Sequence, residues 1–320
     1  MTGMTVRSFL ADDDLSPAEQ AEVLGLAAIL KRAPYDSKPL AGPLSVATIY
    51  DKPTLRTQVS FAAGIAELGG HAMLVDGTLA GIGKRESVAD VARVLGRQAA
   101  VIVWRTYGQD AIEEMAAHSG VPVVNALTDE FHPCQLLADL LTIHERKGTL
   151  SGLTVAFVGD GACNMGNSWL LAGVTAGMHI RVSAPEGQNP QQAMVDRANA
   201  IGRHTEGTAL LVRDPVRAVD GADVVVTDTW VSMGKESEAE QRLALFADYT
   251  VTAELMSHAS SDAIVMHCLP AYRGKEIDAD VLDGPQSVIW DEAENRRHAQ
   301  KAIITWLLGQ AGQQTEEQGG

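Results

Sequence analysis

Residues 44–75 read LSVATIYDKPTLRTQVSFAAGIAELGGHAMLV, and this stretch decides the fold. The apolar run 44–50 is short and rich in strand-forming residues, so it predicts a β-strand. Residues 57–68 follow with apolar side chains at helical spacing and stop at a pair of glycines, as helices commonly do. A second short apolar run, 72–75, comes next. A strand, a helix and a strand in so short a stretch predict a parallel βαβ unit.

The same alternation of strands and helices continues along the chain. Further strands are predicted at 101–104, 121–125, 154–158, 179–183, 209–212, 223–227, 263–267 and 288–290. Parallel strands joined by helices form sheets that are covered on both faces. The 320 residues suffice for two domains of about 150 residues each. We therefore predict an α/β fold of two doubly wound domains, each with a mostly parallel sheet, linked by two long helices.

Helix boundaries set the predicted domain limits. Ser16 supplies a capping hydroxyl, with a proline and a glutamate at the first and third helical positions, and Ser87 opens another helix in a similar way. The predicted divisions are residues 1–133 as the first domain, 134–150 as a linking helix, 151–291 as the second domain, 292–308 as a C-terminal helix that packs back on the first domain, and 309–320 as a disordered tail. The tail is assigned from its Gly, Gln and Glu content.

The charge balance excludes some partners. Lys and Arg number 25 against 41 Asp and Glu, a net charge of −16. Nucleic acids and anionic membranes require a basic face, so neither is expected as a partner. A small anionic substrate stays possible, because a few local arginines override a distant net charge.

Cysteine usage and hydropathy point to the cytoplasm. The three cysteines, Cys134, Cys163 and Cys268, are odd in number and widely spaced, which favours neither a disulfide framework nor a paired metal site. No run approaches the ~18 apolar residues of a membrane span. The first residues soon turn acidic and lack an apolar signal core. We therefore expect a cytoplasmic protein.

Polar side chains follow the predicted strands of the first domain. Residues 51–57 join a strand to a helix N-terminus, where free N–H groups and the positive end of the helix dipole gather. Arg56 adds a forked cation, so the segment could cradle a phosphate; alternatively, Thr54 is an ordinary helix cap. Arg105 follows another strand, and a histidine and an amide, His132 and Gln135, open the linking helix. Singly these are more often surface or packing residues, but together they would converge on one anion.

The second domain offers two interpretations. Residues 159–164, GDGACN, nearly match the dinucleotide-binding fingerprint, and Glu186 lies near where a ribose-binding acid would be. A nicotinamide-dependent dehydrogenase is therefore a competitor, although Asn164 replaces the third glycine that lets the helix pack close to the sheet. Asp228, at a strand end, could hold an ammonium group or simply cap a turn. Cys268 follows the next strand and by itself resembles a small buried apolar residue.

Four segments in order carry a family resemblance. They are HPCQLLAD at 132–139, DTWVSMG at 228–234, HCLPAYRG at 267–274 and EAENR at 292–296. Together they resemble the aspartate/ornithine carbamoyltransferase family, and within it the ornithine branch. The similarity runs from about Ser8 to Leu308.

The resemblance implies an activity and an assembly. The implied reaction moves the carbamoyl group of carbamoyl phosphate to the δ-amine of L-ornithine and yields L-citrulline and phosphate, which we expect to serve arginine biosynthesis. No metal and no organic cofactor is implied. The implied assembly is a homotrimer or an assembly of trimers, with carbamoyl phosphate on the first domain and the amino acid on the second. Two alternatives are a sibling carbamoyltransferase acting on another amine, such as putrescine, and a non-catalytic binding protein that has kept the fold.

Residue roles also follow from the resemblance. The positions implied in carbamoyl phosphate binding are Thr54, Leu55, Arg56, Thr57, Arg105, His132, Gln135, Cys268, Leu269 and Arg296. The positions implied in ornithine binding are Asn164, Asp228, Ser232 and Met233. The implied catalytic set is Arg105, His132, Asp228 and Cys268.

The sequence departs from the family pattern on the carbamoyl phosphate side. The usual phosphate loop reads STRTR, whereas residues 54–58 here read TLRTQ, so Leu55 removes a hydroxyl and Gln58 removes a charge. A glutamine that usually reaches a neighbouring subunit is replaced by Gly81. The nearby cations Lys84 and Arg85 could supply charge instead. On the ornithine side, Cys163 replaces the first of two asparagines.

Overall fold

The computed structural model describes residues 6–231 and 238–319, and over 313–319 it describes the backbone alone. Two units are present, with divisions of the chain at 138/139 and 295/296. The first unit combines the N-terminal part of the chain with its C-terminal helix, and the second is the part between. Both divisions therefore fall within helices and not at the predicted boundaries 133/134 and 291/292.

The first unit is built on a four-stranded parallel sheet. In chain order its elements are α1 (Pro17–Arg32), β1 (Ser45–Tyr50), α2 (Arg56–Glu67), β2 (His71–Asp76), α3 (Gly77–Ala80), α4 (Val88–Leu95), β3 (Val101–Arg105), α5 (Gln109–Ser119) and β4 (Val123–Leu127), followed by α6 (Pro133–Lys147). The strand order is β2-β1-β3-β4.

The second unit is built on a five-stranded parallel sheet. Its elements are β5 (Thr154–Val158), α7 (Asn164–Ser168), a π-helical turn (Trp169–Gly173), β6 (His179–Ser183), α8 (Gln192–Thr205), β7 (Thr208–Leu211), α9 (Pro215–Val219), β8 (Val224–Thr227), α10 (Ala239–Phe246), α11 (Ala253–Met256), β9 (Ile264–His267) and α12 (Ala279–Leu282), followed by α13 (Ile289–Gly319). The strand order is β7-β6-β5-β8-β9.

The sheets confirm the predicted fold class. Each strand pairing in the two sheets of the described residues is parallel, and central strands such as β8 are buried on both faces, as the near-continuous apolar runs require. The predicted caps are confirmed as well. The Ser16 hydroxyl accepts from the N–H of Glu19, and the Ser87 hydroxyl accepts from the N–H of Asp90.

Three local predictions differ from the structure. Residues 288–290 are not a strand: Ser287 forms an isolated bridge to Val265, and α13 begins at Ile289. So short an apolar run fits a strand and a helix start equally well, and the acids that follow it favour the helix. Thr54 does not cap α2, whose N-cap is Leu55. Finally, α13 runs to Gly319, past the predicted end at residue 308, because Ala, Gln and Glu are good helix formers.

The C-terminal helix packs within the first unit through a buried lysine. The ammonium group of Lys301 donates to the carbonyl of Leu30 at 3.0 Å and to the carboxylate of Glu67 at 2.6 Å. The indole N–H of Trp306 donates to Glu22 of α1 at 3.0 Å. Neither α13 nor another helix among the described residues combines the length and apolar character needed to cross a membrane.

Strand order places each candidate site. In a doubly wound sheet, ligands bind beyond the carboxyl ends of the two strands between which the winding reverses. In the first unit these strands are β1 and β3, where Tyr50 pairs with Arg105. In the second unit they are β5 and β8, where the hydroxyl of Thr227 donates to the carbonyl of Val158 at 2.7 Å. The sequence-predicted residues follow these ends.

Candidate active site

A group of cations and polar side chains collects beyond β1 and β3 of the first unit. We call it the cationic cluster, and its members are Arg56, Thr57, Arg105, His132, Gln135 and Arg296. Arg56 begins α2, Arg105 ends β3, and Gln135 lies in the first turn of α6. All but Arg56 are buried.

Arg296 joins three elements of the first unit in this cluster. One guanidinium nitrogen donates to the Oε1 of Gln135 at 2.7 Å, and the other donates to the hydroxyl of Thr57 at 3.1 Å. The guanidinium fork thus holds α2, α6 and α13 in one geometry. Thr57, Gln135 and Arg296 are therefore brought together, although they are far apart in sequence.

His132 is a neutral imidazole in this surrounding. Burial lowers the pKa of His132 well below its usual value, and the charges of Arg296, Arg105, Arg56 and Lys52 lower it further. A neutral ring can donate one hydrogen bond without adding charge. The cluster therefore offers fixed positive charge from its arginines and a neutral donor from its histidine, which suits an anion that carries a carbonyl group.

Lys52 is a cation that the sequence analysis missed. Its side chain is buried, and its ammonium group pairs with Asp129 and lies 4.5 Å from the centroid of the Tyr107 ring. Burial lowers the pKa of Lys52, and Asp129 opposes this effect. The sequence signal that could have identified Lys52 was its position directly after Asp51, at the end of a strand. Asp51 itself accepts from the indole N–H of Trp104 at 2.9 Å.

The altered phosphate-loop residues differ in exposure. Leu55 is 72% exposed, so its side chain leaves the backbone N–H at the start of α2 as the group available to an anion. Gln58 is partly buried. Gly81 ends α3 with φ of 65°, a left-handed conformation that favours glycine over the usual glutamine, and Lys84 and Arg85 are exposed.

A second group lies beyond β8 and β9 of the second unit. We call it the carboxylate–thiol cluster, and its members are Asp228, His267, Cys268 and Glu276. Parallel pairing sets Thr227 beside His267, so the next residues are neighbours, and the thiol of Cys268 donates to the Oδ1 of Asp228 at 3.2 Å. The N–H of Thr229 also donates to this oxygen, at 2.7 Å.

Burial controls the protonation of this pair. It raises the pKa of Asp228, while the hydrogen bonds from the Thr229 N–H and the Cys268 thiol oppose the rise. It also raises the pKa of Cys268 well above its usual value, and the charges of Asp228, Glu292 and Asp139 act in the same direction. Cys268 is therefore a thiol donor and not a thiolate. A carboxylate oriented in this way is suited to hold an ammonium group.

His267 and Glu276 fix the segment that follows β9. The Nδ1 of His267 accepts from the N–H of Leu269 at 2.9 Å, so its proton lies on Nε2, which is 3.2 Å from the Oε1 of Glu276. The same oxygen accepts from the N–H of Tyr272 at 2.6 Å. These bonds hold Leu269 at φ of 60°, a conformation that costs a non-glycine residue about 1–2 kcal/mol. Glu276 was not predicted, because its distance from His267 in sequence follows no motif.

The carboxylate–thiol cluster favours hydrogen bonding over metal binding. Asp228, His267 and Cys268 each offer a ligand atom, and these atoms lie within 4.8 Å of one another. However, both ring nitrogens of His267 are engaged, and a thiol is a poor ligand until it loses its proton. As arranged, the three side chains form a hydrogen-bonded group.

The glycine-rich loop after β5 lacks the features of a dinucleotide site. The carboxylate of Asp160 pairs with the buried Arg242. Gly161 packs against the protein itself, since a Cβ added to it would lie 3.0 Å from Pro190. Glu186 is exposed and pairs with Arg213 at the surface. Instead, the loop presents Asn164 at the first position of a helix, after Cys163 as the N-cap. Burial raises the pKa of Cys163 well above its usual value, so it is a thiol.

The structure distributes the predicted residues over both units. The cationic cluster belongs to the first unit, whereas Asn164, Asp228, Cys268 and Leu269 belong to the second. Ser232 and Met233 lie outside the described residues. Thr54 is partly buried next to Leu55 in the first unit.

A cationic cluster in one α/β unit and a buried carboxylate in another have the chemistry expected of a two-domain protein that binds small molecules. Comparison with known proteins agrees with this class. Residues 7–145 match the family model for the "Aspartate/ornithine carbamoyltransferase, carbamoyl-P binding domain", and residues 151–307 match its "Asp/Orn binding domain". The chain belongs to the aspartate/ornithine carbamoyltransferase family, whose members are transferases.

Similar proteins carry the name ornithine carbamoyltransferase. The protein of that name from Clavibacter michiganensis is 61% identical over 95% of this chain and 99% of its own length. The one from Leifsonia xyli is 57% identical over 94% of this chain and 97% of its own. The structure of ornithine carbamoyltransferase from Pyrococcus furiosus has a TM-score of 0.91 and 40% identity, and covers 97% of this chain and 99% of that one.

Proposed function

We propose that this protein transfers the carbamoyl group of carbamoyl phosphate to the δ-amine of L-ornithine and releases L-citrulline and phosphate. The observation that carries the proposal is the buried Asp228, held by the Cys268 thiol and the Thr229 N–H beyond β8 of the domain that matches the Asp/Orn-binding model. The names of the similar proteins support the choice of ornithine.

The cationic cluster would bind the donor substrate. Arg56, Thr57 and the free N–H groups at the start of α2 face the phosphate, and Arg105 bridges phosphate and carbonyl oxygen. Neutral His132 donates to the carbonyl oxygen, where negative charge develops as the bond to nitrogen forms. Fixed donors at such a position stabilise the transition state, and losing one typically costs about 10²–10³ in turnover. Gln135, held by Arg296, faces the carbamoyl NH₂ group.

The carboxylate–thiol cluster would prepare the amine. An alkyl amine has a pKa of ~10.4, so near pH 7 forming the nucleophilic neutral amine costs about 4.6 kcal/mol. Asp228 binds the ammonium form. Its raised pKa lies nearer to the pKa of the amine, which makes the carboxylate a better proton acceptor. The neutral amine then attacks the carbonyl carbon, the bond from that carbon to the phosphate oxygen breaks, and the nitrogen loses its second proton to the departing phosphate.

The proposal extends to compartment and pathway. The free thiols Cys134, Cys163 and Cys268 suit a reducing cytoplasm. We place the reaction in arginine biosynthesis, in the direction of citrulline. This direction is tested by deleting the coding sequence and growing the cells without arginine. Growth that then requires added citrulline or arginine is the expected result, and growth that needs neither would favour breakdown of citrulline.

We further propose that the chain forms trimers. Neighbouring elements of the first unit, α2, the edge strand β2 and α3, expose the apolar side chains Val59, Leu74 and Leu79. A monomer gains nothing by exposing such side chains together, whereas a second copy of the chain would bury them. Light scattering should give three times the chain mass of 34.0 kDa, or a multiple of that trimer mass. A monomeric mass under assay conditions would refute the trimer.

The activity is tested with a panel of acceptors. Carbamoyl phosphate is incubated with L-ornithine, putrescine, N-acetylornithine or L-aspartate, and the carbamoylated products are measured. Saturable turnover of ornithine well above the other three is the expected result. Preferred turnover of putrescine would move the protein to a sibling branch. Absence of turnover in a folded trimer would favour the binding-protein alternative and identify Leu55, Gln58 and Gly81 as disabling.

A further inference from the structure

A buried arginine outside both clusters ties together the two strand ends that carry the second unit's site. Arg242 is 6% exposed, and its Nε donates to the backbone carbonyl of Trp230 while its Nη2 donates to the carboxylate of Asp160. Its Nη1 lies 3.5 Å from the Oε1 of Gln188. Neither the sequence analysis nor the proposed mechanism assigns this residue a role.

The local sequence explains why Arg242 reaches both partners. Arg242 and Phe246 are four residues apart on α10, so they lie on one face of the helix. The Phe246 ring stacks on the indole of Trp230 with centroids 5.6 Å apart, and the guanidinium of Arg242 lies 5.1 Å from the centroid of that same phenyl ring. One helix face therefore holds Trp230 by its ring and by its carbonyl.

The contacts reach both sides of the winding reversal. Asp160 lies in the loop after β5 and precedes Asn164, which begins α7, whereas Trp230 lies two residues after Asp228. The two segments also touch directly, since a Cβ on Gly159 would lie 3.2 Å from the indole nitrogen of Trp230. Gly159 has φ of 135°, which a side chain rarely permits. Arg242 thus holds the segment bearing Asn164 against the segment bearing Asp228.

We propose that Arg242 is a positioning residue that fixes the spacing between Asn164 and Asp228 and so sets the chain length of the accepted amino acid. The proposal rests on the proposed function, in which Asp228 binds the δ-ammonium group, and it assigns the amino-acid end of ornithine to Asn164. An acceptor with one methylene more or fewer would leave one end unpaired. Discrimination by one methylene is typically about 10–200-fold, and a rigid spacing is what maintains it.

The test compares acceptors of different length in matched variants. Arg242→Met keeps much of the side-chain volume and removes all the donors, whereas Arg242→Lys keeps the charge without the fork. Arg181→Met is the control, because Arg181 of β6 also donates to two carbonyls in this unit, those of Ala218 and Asp220. Each protein is assayed with L-ornithine, with L-lysine and with L-2,4-diaminobutyrate.

Arg242→Met should raise the KM for ornithine about tenfold or more, leave the KM for carbamoyl phosphate within about twofold, and lower the preference for ornithine over lysine about tenfold. Arg242→Lys should recover part of the preference, and Arg181→Met should match the wild type. If Arg242→Met fails to fold, Asp160→Asn removes the same ion pair from the other side and should shift the same preference. An unchanged preference in every folded variant would overturn the proposal. Wild-type protein without ornithine turnover would instead refute the proposed function.

Discussion

Replacing Asp228 with Asn removes a negative charge and almost nothing else. The amide is the same size, and its oxygen can still accept from the Thr229 N–H and the Cys268 thiol, so the surroundings should be retained. An ammonium group bound beside a buried carboxylate loses about 2–5 kcal/mol when the charge is removed. Taking about 3 kcal/mol, and about 1.4 kcal/mol per factor of ten, loss of the ion pair alone should lower kcat/KM for ornithine about 10²-fold, and the amide, which cannot accept the proton of the amine, should lower it further.

The assay is steady-state citrulline formation with either substrate varied. The KM for carbamoyl phosphate should stay within about twofold, because Asp228 lies in the other unit from the cationic cluster. Asp223→Asn is the matched control. Its carboxylate lies at the opposite end of β8 and accepts from the N–H of Thr154 at 2.8 Å. An Asp228→Asn protein with unchanged ornithine dependence, or an Asp223→Asn protein that is equally impaired, would refute the ammonium-binding role.

Three further predictions concern the first unit. Arg56→Ala should raise the KM for carbamoyl phosphate and lower turnover about 10²-fold, since it removes a charged donor to the phosphate; wild-type kinetics would contradict this assignment. Lys301→Met should lower the free energy of unfolding by about 3 kcal/mol, measured in urea, because it leaves the partly buried carboxylate of Glu67 without its buried cation; adding Glu67→Leu should restore part of the loss, and no restoration would contradict the pairing. The Arg7 hydrogen bond lowers the pKa of Glu19 to about 2 from 4.5. A lowered carboxyl pKa stabilises the folded state above about pH 4.5 and is lost as the pH falls towards 2, so wild-type protein should lose about 1–2 kcal/mol more between pH 5 and 3 than Glu19→Gln. Equal losses would show that this ion pair does not contribute.

The strand ends were the most predictable part of the site. Apolar runs in a parallel sheet stop where the chain leaves the core, so Arg105 and Asp228 could be placed at carboxyl ends without knowing the strand order. The strand order then decided which ends mattered. It places the winding reversal between β1 and β3 in one unit and between β5 and β8 in the other.

Residues whose role depends on tertiary contacts were not predictable. Arg242 and Glu276 follow no spacing rule, and each meets its partner across a distance in sequence that local pattern does not register. Lys52 directly follows a strand-end aspartate, but that position does not reveal its pairing with Asp129. The strand predicted at 288–290 was wrong for a different reason. Three apolar residues carry no period, so the choice between a strand and the start of α13 depended on the acids that follow them.

The most direct test of the account follows the transferred carbon. Carbamoyl phosphate labelled with ¹³C at the carbonyl is mixed with L-ornithine and the protein, and the products are observed by NMR while released phosphate is measured. The account predicts that the label appears in the ureido carbon of citrulline, with one phosphate released per citrulline. Label found only in the products of spontaneous carbamoyl phosphate breakdown, at the rate seen without protein, would contradict it.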